Sequence, residues 1–269
     1  MRTGVVLRPA RPKDACEIVD VVRCGMPTDL LGCMIYGCPG IARFVKHQIE
    51  AGGSGSDTVY AVARRDDRMI GCAEMRVFPD ALFLNYISVR PEARDFGLGK
   101  RLFSQALLQS RRWGQSRVLL DVLEKNHLAR RWYQRMGFES TGAADWWEVA
   151  MPAGPGAPEA ILVNYPQAQV AQSDFGFSVF ELVSPLGRYM VGRLGDEWFR
   201  LSQAGALTDP SVDAALARID SKRRLLAVLS NGSLPEMLQE TARPLARSLR
   251  LAIDFDVLQE QLGPAEEAR

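Results

Sequence analysis

Residues Val89–Arg101 read Val-Arg-Pro-Glu-Ala-Arg-Asp-Phe-Gly-Leu-Gly-Lys-Arg and join a strand-like run, Ala81–Val89, to an amphipathic helical run, Leu98–Trp113. Gly97 and Gly99 have no Cβ atom that would keep a ligand away from the backbone. The N–H groups of such a turn point at one position, where the positive end of the following helix favours an anion. The stretch therefore predicts a phosphate site between a strand and a helix.

The charged residues around the two glycines, and the spacing of the glycines, indicate which kind of phosphate-binding loop this is. Arg94, Lys100 and Arg101 supply mobile cations, which suit a pyrophosphate better than a single carboxylate. A Walker loop is excluded, because no Ser or Thr follows Lys100 to hold magnesium. A dinucleotide fingerprint is weak, because Leu102 stands where its third glycine belongs. The remaining alternative is a turn in which the glycines have no ligand.

A second motif follows the first, and together they resemble a known family. Arg94–Gly99 is similar to the (Arg/Gln)-x-x-Gly-x-(Gly/Ala) signature of the GCN5-related N-acetyltransferases, the GNAT family. Asn126–Phe138 (NHLARRWYQRMGF) resembles that family's Asn-x-x-Ala-x-x-x-Tyr-x-x-x-Gly-Phe stretch at each marked position. The resemblance covers roughly residues 5 to 151. It implies an α+β fold, with a mixed, mostly antiparallel central sheet flanked by helices.

The resemblance also implies a cofactor, acetyl-CoA or another short acyl-CoA. In the family the strand before the loop splays from the next strand, and its backbone, by resemblance Ile87 to Val89, pairs with the pantetheine amides. The pyrophosphate lies on the amides that resemble Phe96 to Lys100. Asn126 resembles an asparagine that contacts the cofactor or orders a water molecule; otherwise it is a plain turn residue. The expected cofactor-binding residues are Ile87, Ser88, Val89, Arg94, Asp95, Phe96, Gly97, Leu98, Gly99, Lys100 and Asn126.

Tyr133 is the candidate general acid. When an amine attacks a thioester, the tetrahedral intermediate expels a thiolate whose conjugate acid has a pKa of roughly 8.5. A phenol, with an ordinary pKa of roughly 10, can protonate that sulfur if it is held against it. The position of Tyr133 in the second motif favours this role over that of a core tyrosine.

The general base is less sharply defined by the sequence. Glu74 and Asp121 are carboxylates inside otherwise apolar strand-like runs, where burial would raise a pKa towards a useful value. Either could act through a water molecule, and Glu74 is slightly preferred. Asn85 and Tyr86 alternate on the strand before the loop, so one of them should face the cleft. No Gly-x-Ser-x-Gly motif occurs, and direct transfer without an acyl-enzyme is expected.

The segment 152–158, with three prolines and two glycines in the run from Met151 to Pro158, predicts a linker. We therefore expect a catalytic domain at 1–151 and a smaller, mainly helical domain of unknown role at 159–269. In that tail, helices are expected from Pro210 to about Leu229 and from Pro235 to about Leu262. A degenerate second copy of the first domain is disfavoured, because the tail has no phosphate loop and reads as helical. A chain ending near Ala153 is expected to fold alone.

Composition limits the partners. The five cysteines all lie within the first 72 residues of this 269-residue chain, which argues against a disulfide framework, and their spacing fits no common zinc site, so no metal is expected. Up to residue 150 there are 22 Lys and Arg against 17 Asp and Glu, an excess too dilute for a nucleic-acid surface. No apolar run approaches the length that a membrane-spanning helix needs, and no secretory signal is recognised at the N-terminus. A cytoplasmic location, no membrane partner and a possible homodimer are expected.

These observations predict an N-acetyltransferase that moves an acetyl group from acetyl-CoA to a primary amine on a small molecule or peptide. One alternative is a non-catalytic acyl-CoA-binding sensor or regulatory protein. Another is a transferase that acts on a protein or an aminoacyl-tRNA through its C-terminal domain, although the acidic tail disfavours RNA contacts.

Overall fold

The computed structural model describes residues 4–52, 57–94, 97–111, 114–150, 159–230 and 234–263. The chain forms two compact units. The first unit contains Met1–Pro27, Ala42–Thr141 and Leu249–Arg269, and the second contains Thr28–Ile41 and Gly142–Ser248. Among the described helices, none has the length and apolar character needed to cross a bilayer.

The first unit is a mixed sheet with helices on both faces. Its strands are β1 (Val5–Pro9), β2 (Thr58–Arg65), β3 (Arg68–Val77), β4 (Ala81–Val89) and β5 (Arg117–Leu123). Its helices are α1 (Ala15–Arg23), α2 (Ile41–Ala51), α3 (Leu98–Ser110) and α4 (His127–Arg135). Strands β1 to β4 pair antiparallel in sequence order, and β5 then pairs parallel with β4. The parallel pair is joined through α3, as a crossover connection requires.

The alternation of side chains along β3 shows which helix covers each face of this sheet. A Cβ atom on Gly71 would lie 3.3 Å from the Leu102 side chain of α3, and Ala73 and Met75 belong to the same apolar core. On the other face, the thiol group of Cys72 approaches the carbonyl oxygen of Ile18 in α1 at 3.8 Å. Successive strand residues point to opposite faces. Helix α3 therefore covers one face and α1 the other.

The end of the chain returns to the first unit. Two elements are shared between the units, the strands β6 (Glu139–Val149) and β12 (Arg243–Asp254), and α7 (Phe255–Leu262) follows β12. The side chains of this returning segment that are buried in the first core are Leu251, Ile253, Phe255, Leu258 and Leu262. The amide of Phe255 donates a hydrogen bond to the Ser116 carbonyl oxygen at 2.8 Å.

The second unit has its own sheet and core. Its strands are β7 (Ile161–Val163), β8 (Phe177–Val183), β9 (Arg188–Leu194), β10 (Trp198–Leu201) and β11 (Arg224–Ser230), and its helices are α5 (Tyr165–Phe175) and α6 (Pro210–Asp220). Strands β7 to β10 pair antiparallel in order, β11 pairs parallel with β10, and β6 pairs antiparallel with β11. The chain thus follows the same sequence of pairings in both units.

The expected α+β fold of the first half is confirmed, whereas the mainly helical character of the tail is wrong. The predicted helix from Pro210 ends at Asp220, and Arg224–Ser230 is the strand β11. Five consecutive apolar residues from Leu225 to Leu229 suit a helix and a fully buried strand equally well by periodicity. The middle of the predicted second helix is the strand β12, in which Leu249, Leu251 and Ile253 follow a period of two, whereas its end, Phe255–Leu262, is the helix α7.

The two units also differ from the expected domain division. The cut at 152–158 would leave all of β6 in the first domain and all of β12 in the second, whereas each of these strands has one end in each unit. The predicted linker itself lies outside the described residues. A local Pro/Gly signal cannot reveal that a segment about a hundred residues later belongs to the same core.

Candidate active site

The predicted phosphate loop leads directly into α3. Gly97 is the residue before the helix and has φ of 69° and ψ of 4°, the left-handed region that favours glycine. Among the described residues, chain neighbours aside, no atom lies within 4 Å of the position that a Cβ atom on Gly97 would occupy. The Arg101 amide donates to the Gly97 carbonyl oxygen at 3.2 Å, which closes the first helical turn. The earlier amides of the helix have no intrahelical acceptor and remain available to an anion.

The flanks of the loop are held by β4 and α4. The Nε atom of Arg94 donates to the carbonyl oxygen of Val89 at 3.0 Å, which fixes the loop against the end of β4. A Cβ atom on Gly99 would lie 3.4 Å from the indole ring of Trp132 in α4. Leu98 is buried, and Lys100 is exposed at the loop. Asp95 and Phe96, which were also expected to bind the cofactor, lie outside the described residues.

A gap opens beside the expected pantetheine-binding strand. The parallel ladder between β4 and β5 runs from Ala81 opposite Arg117 to Leu84 opposite Leu120 and then ends. Within the described residues, Asn85–Val89 continues to pair with β3 but has no partner on its β5 side. This is the divergence that the sequence predicted for Ile87 to Val89. The backbone groups of β4 that face the gap are available to the amides of an extended ligand.

The side chain of Ser88 has a structural role that the sequence did not indicate. Its hydroxyl group donates to the carbonyl oxygen of Val21 at 2.8 Å and satisfies a carbonyl near the end of α1. A Cβ atom on Gly25 would lie 2.7 Å from the same hydroxyl oxygen. Ser88 can therefore contribute its backbone to a cofactor site while its side chain anchors α1 to β4.

Tyr133 lies in α4, inside the first core. Its side chain is buried, and its ring lies 5.0 Å from that of Trp132 and 5.6 Å from that of Phe138. Burial raises the pKa of the Tyr133 phenol, which keeps its proton. The same apolar cluster includes Leu84 and Leu120, the last pair of the ladder before the gap. A buried phenol thus belongs to the cluster that lines the divergence of the two strands.

Asn126 forms the N-terminal cap of α4. Its side-chain oxygen accepts a hydrogen bond from the Ala129 amide at 3.1 Å, and its carbonyl oxygen accepts one from the Arg130 amide at 3.0 Å. Both contacts stabilise the helix that carries Tyr133. The structure therefore shows the turn role of Asn126, and its contact with the cofactor stays a prediction.

Glu74 is almost completely buried, with 2% exposure, and is held by a residue of the neighbouring strand. The Asn85 amide nitrogen donates to its carboxylate at 2.6 Å. Glu74 lies opposite Tyr86 and Met75 lies opposite Leu84, so Asn85 is the extra residue of a β-bulge. The sequence suggested that Asn85 or Tyr86 faces the cleft, but the bulge that brings Asn85 to Glu74 had no recognisable signal.

The alternative base, Asp121, is part of a structural ion pair. Arg250 of β12 binds both of its carboxylate oxygens, one of them at 2.9 Å, and also lies 5.2 Å from the centre of the Phe83 ring. This arrangement fixes the C-terminal strand in the first unit, because a bidentate pair constrains both partners. Asp121 is therefore poorly placed to accept a proton. The sequence could not indicate a partner 129 residues away.

Glu74 and Tyr133 project to opposite faces of the sheet. Glu74 is two residues after Cys72 on β3 and therefore points to the same face of the sheet, the face covered by α1. Met75 points to the other face, where it shares a core with Tyr133 and α3. A ligand that passes through the gap between β4 and β5 would have the carboxylate on one side and the phenol on the other. The described residues contain no group of three or more His, Cys, Asp or Glu side chains placed to hold a metal ion.

One comparison with known proteins matches a family model to much of the first unit. Residues 38–138 match the sequence model of the acetyltransferase (GNAT) family. A search of curated protein sequences finds no match. In a tandem GNAT protein from the clavulanic acid biosynthesis pathway, 98% of this chain aligns with 100% of that protein at 11% identity and a TM-score of 0.65.

Two further solved structures share the fold over nearly the whole chain. A proposed acetyltransferase from Pyrococcus horikoshii aligns with 96% of this chain over 92% of its own length, at 14% identity and a TM-score of 0.63. A GCN5-related N-acetyltransferase from Sphaerobacter thermophilus aligns with 93% of this chain over 95% of its own length, at 13% identity and a TM-score of 0.58. The likeness therefore includes the second unit, which the sequence did not assign to any family.

Proposed function

We propose that this chain, which carries a GNAT-family domain at residues 38–138, transfers an acetyl or another short acyl group from acyl-CoA to a primary amine. The observation that supports this most directly is the gap between β4 and β5, which ends beside the glycine-started helix α3. An extended pantetheine arm needs unpaired backbone groups, and its pyrophosphate needs unpaired amides. Both requirements are met by adjacent segments of the first unit.

In this proposal the cofactor lies along β4, with its pyrophosphate at the start of α3. Ile87 to Val89 offer backbone groups to the pantetheine amides, and Gly97 to Lys100 offer amides to the phosphates. Arg94 already bonds the end of β4, which fixes the start of the loop before the ligand arrives. Preorganisation of this kind lowers the entropy lost on binding.

The reaction then needs one proton acceptor and one proton donor. The amine nitrogen attacks the thioester carbonyl carbon and forms a C–N bond, while its excess proton passes through a water molecule to Glu74. The tetrahedral intermediate breaks its C–S bond, and Tyr133 supplies a proton to the leaving sulfur. The placement of Glu74 and Tyr133 on opposite faces of the sheet matches these two tasks. Small-molecule and peptide amines both fit this chemistry.

Replacing both loop glycines, Gly97→Val with Gly99→Val, is expected to abolish CoA binding. A β-branched side chain strongly disfavours the left-handed backbone at Gly97, and a valine at Gly99 would press on Trp132. The measurement is isothermal titration of the purified variant with CoA, compared with the unmodified protein.

Gly263→Val provides a matched control for the glycine variant. Gly263 also has a positive φ, 72°, and open space around its Cβ position, but it follows α7. We expect its CoA affinity to be unchanged. An unchanged affinity in the loop variant would show that the pyrophosphate binds elsewhere.

Glu74→Gln is expected to lower turnover by roughly 100-fold, the usual contribution of a general base. Glutamine keeps the volume and a side-chain oxygen for Asn85 but cannot take a proton at neutral pH. Activity that depends on a deprotonated base rises with pH through the pKa of that base. The variant should therefore lose this rise on the acid side of its pH–rate profile.

Glu17→Gln is the control for this carboxylate change. Glu17 accepts hydrogen bonds from Arg64 at 2.8 Å and from the Met69 amide at 3.0 Å, and thus ties α1 to the β2–β3 hairpin. Its substitution should lower the melting temperature and leave the shape of the pH–rate profile intact. An acid limb that survives in Glu74→Gln would exclude Glu74 as the base.

A further inference from the structure

The second unit repeats the order of strands in the first. In each unit four strands pair antiparallel in sequence, a helix follows the fourth, and a fifth strand then pairs parallel with the fourth. Helix α6 thereby occupies the topological position of α3, and β10 and β11 occupy those of β4 and β5. The start of α6 is the position in the second unit that corresponds to the phosphate loop.

That position is filled by a side chain of the protein itself. Asp209 precedes α6 and is fully buried, with 0% exposure. Its carboxylate accepts a hydrogen bond from the Ser211 amide at 2.9 Å and another from the hydroxyl group of Ser184. Pro210, the first helical residue, has no N–H group to offer. Asp209 and Pro210 thus stand at the helix start where the first unit has Gly97 and Leu98.

The charge around the start of α6 is unsuited to a second anion. Burial works to raise the pKa of Asp209, but hydrogen bonds from Ser184 and Ser211 outweigh it, and the pKa is lowered. Asp213, in the first turn of the same helix, has its pKa raised to about 6 by burial and by the charge of Asp209. Two carboxylates at one helix start would repel a pyrophosphate.

The described residues of the second unit also leave no gap for a pantetheine arm. All four residues of β10, Trp198 to Leu201, pair with β11 on one side and β9 on the other. The strand ends there, whereas β4 continues for five residues beyond its last pair with β5. Directly after β10, the side chain of Gln203 bonds the Met190 amide at 3.0 Å and the Arg188 carbonyl oxygen at 3.2 Å. Among the described residues, β10 therefore has no extension with backbone groups left unpaired on its β11 side.

We infer that the second unit is a copy of the acyltransferase fold that binds no acyl-CoA, so that each chain takes one acyl-CoA molecule, in its first unit. Asp209 holds the position that a phosphate holds in a cofactor-binding copy. The degenerate second copy, which the sequence disfavoured, is therefore the interpretation that the strand order supports.

Titration of the full-length protein with CoA tests this inference, with the number of molecules bound per chain as the readout. We expect one. Gly97→Val should remove it, and Asp209→Asn, the matched change at the start of α6, should leave number and affinity unchanged while lowering the melting temperature. Circular dichroism of both variants verifies that they are folded. Gly97→Asn is a further control, because asparagine tolerates the left-handed backbone. Binding that is lost in Gly97→Val but kept in Gly97→Asn would be due to a distorted loop.

Three results would overturn the inference. Two CoA molecules per chain would place a site in the second unit and leave the proposed function intact. Binding that survives Gly97→Val but weakens in Asp209→Asn would move the site to α6. No binding at all would contradict both the inferred count and the proposed function.

Discussion

Tyr133→Phe is expected to reduce turnover by roughly 100-fold or more, while CoA binds as it does to the unmodified protein. In the proposed reaction the hydroxyl group is needed when the C–S bond breaks, because it protonates the expelled thiolate. The ground-state complex has no such charge. A loss confined to turnover is the signature of an interaction made in the transition state.

The surroundings of Tyr133 make this effect large. Within the described part of the chain its hydroxyl group makes no hydrogen bond, and burial alone raises the pKa of the phenol. The side chain therefore keeps its proton and has no competing acceptor. Removing one oxygen atom from a ring packed against Trp132 and Phe138 leaves these ring contacts in place. The folded structure should not change.

The measurements are steady-state turnover with a competent amine acceptor and a separate titration with CoA. Tyr165→Phe is the control, because it removes the same atom from a tyrosine of the second unit, whose ring packs against Phe180 at 5.3 Å. Its turnover should match that of the unmodified protein. If Tyr133→Phe keeps nearly full turnover, the sulfur takes its proton from another source, such as water.

The features predicted correctly from sequence are those that depend on neighbouring residues. The helix start at Leu98 follows from a short stretch of chain, as does the turn role of Asn126, which was the alternative to a cofactor contact. The divergence of β4 from β5 was implied by resemblance and not by the residues themselves, because a ladder that ends early has no composition of its own.

The features that were missed depend on contacts between distant residues. The bulge at Asn85 is defined only by the register between β3 and β4, and a shift of one residue changes which side chains meet. The pairing of Arg250 with Asp121 likewise cannot be read from either sequence neighbourhood. It gives one candidate base a structural role and, at the same time, shows that the C-terminal strand belongs to the first unit.

The second unit was misread because its strands are short and its apolar runs are ambiguous. Strand β10 has four residues and β7 has three, too few for a period to be counted. The helix predicted from Pro235 rested on leucines at helical spacing, yet tertiary pairing made the middle of that segment the strand β12, and the helix α7 forms only its end. Recognition of the repeated fold required the order of strand pairing, which only the structure provides.

A chain ended after Ala153 is expected not to fold, in contrast to the expectation from the Pro/Gly segment. The truncation removes the returning segment, whose five buried side chains complete the first core. Each is worth about 1.5–3 kcal/mol on burial, together on the order of 10 kcal/mol, and a whole domain has a stability of only about 5–15 kcal/mol. The truncated chain should be insoluble or lack a cooperative melting transition, and it should not bind CoA.

Single substitutions in α7 of the full-length protein distinguish the loss of these core contacts from simple aggregation. Leu258 is completely buried in α7, and Leu258→Ala should lower the free energy of unfolding by about 2–5 kcal/mol. Val257, its neighbour on the same helix, is 46% exposed, so Val257→Ala should change stability by about 0.5 kcal/mol or less. A chain ended after Gly263 keeps every described contact of α7 and should retain its CoA affinity. A folded, CoA-binding chain that ends at Ala153 would instead show that the first core is complete without the returning segment.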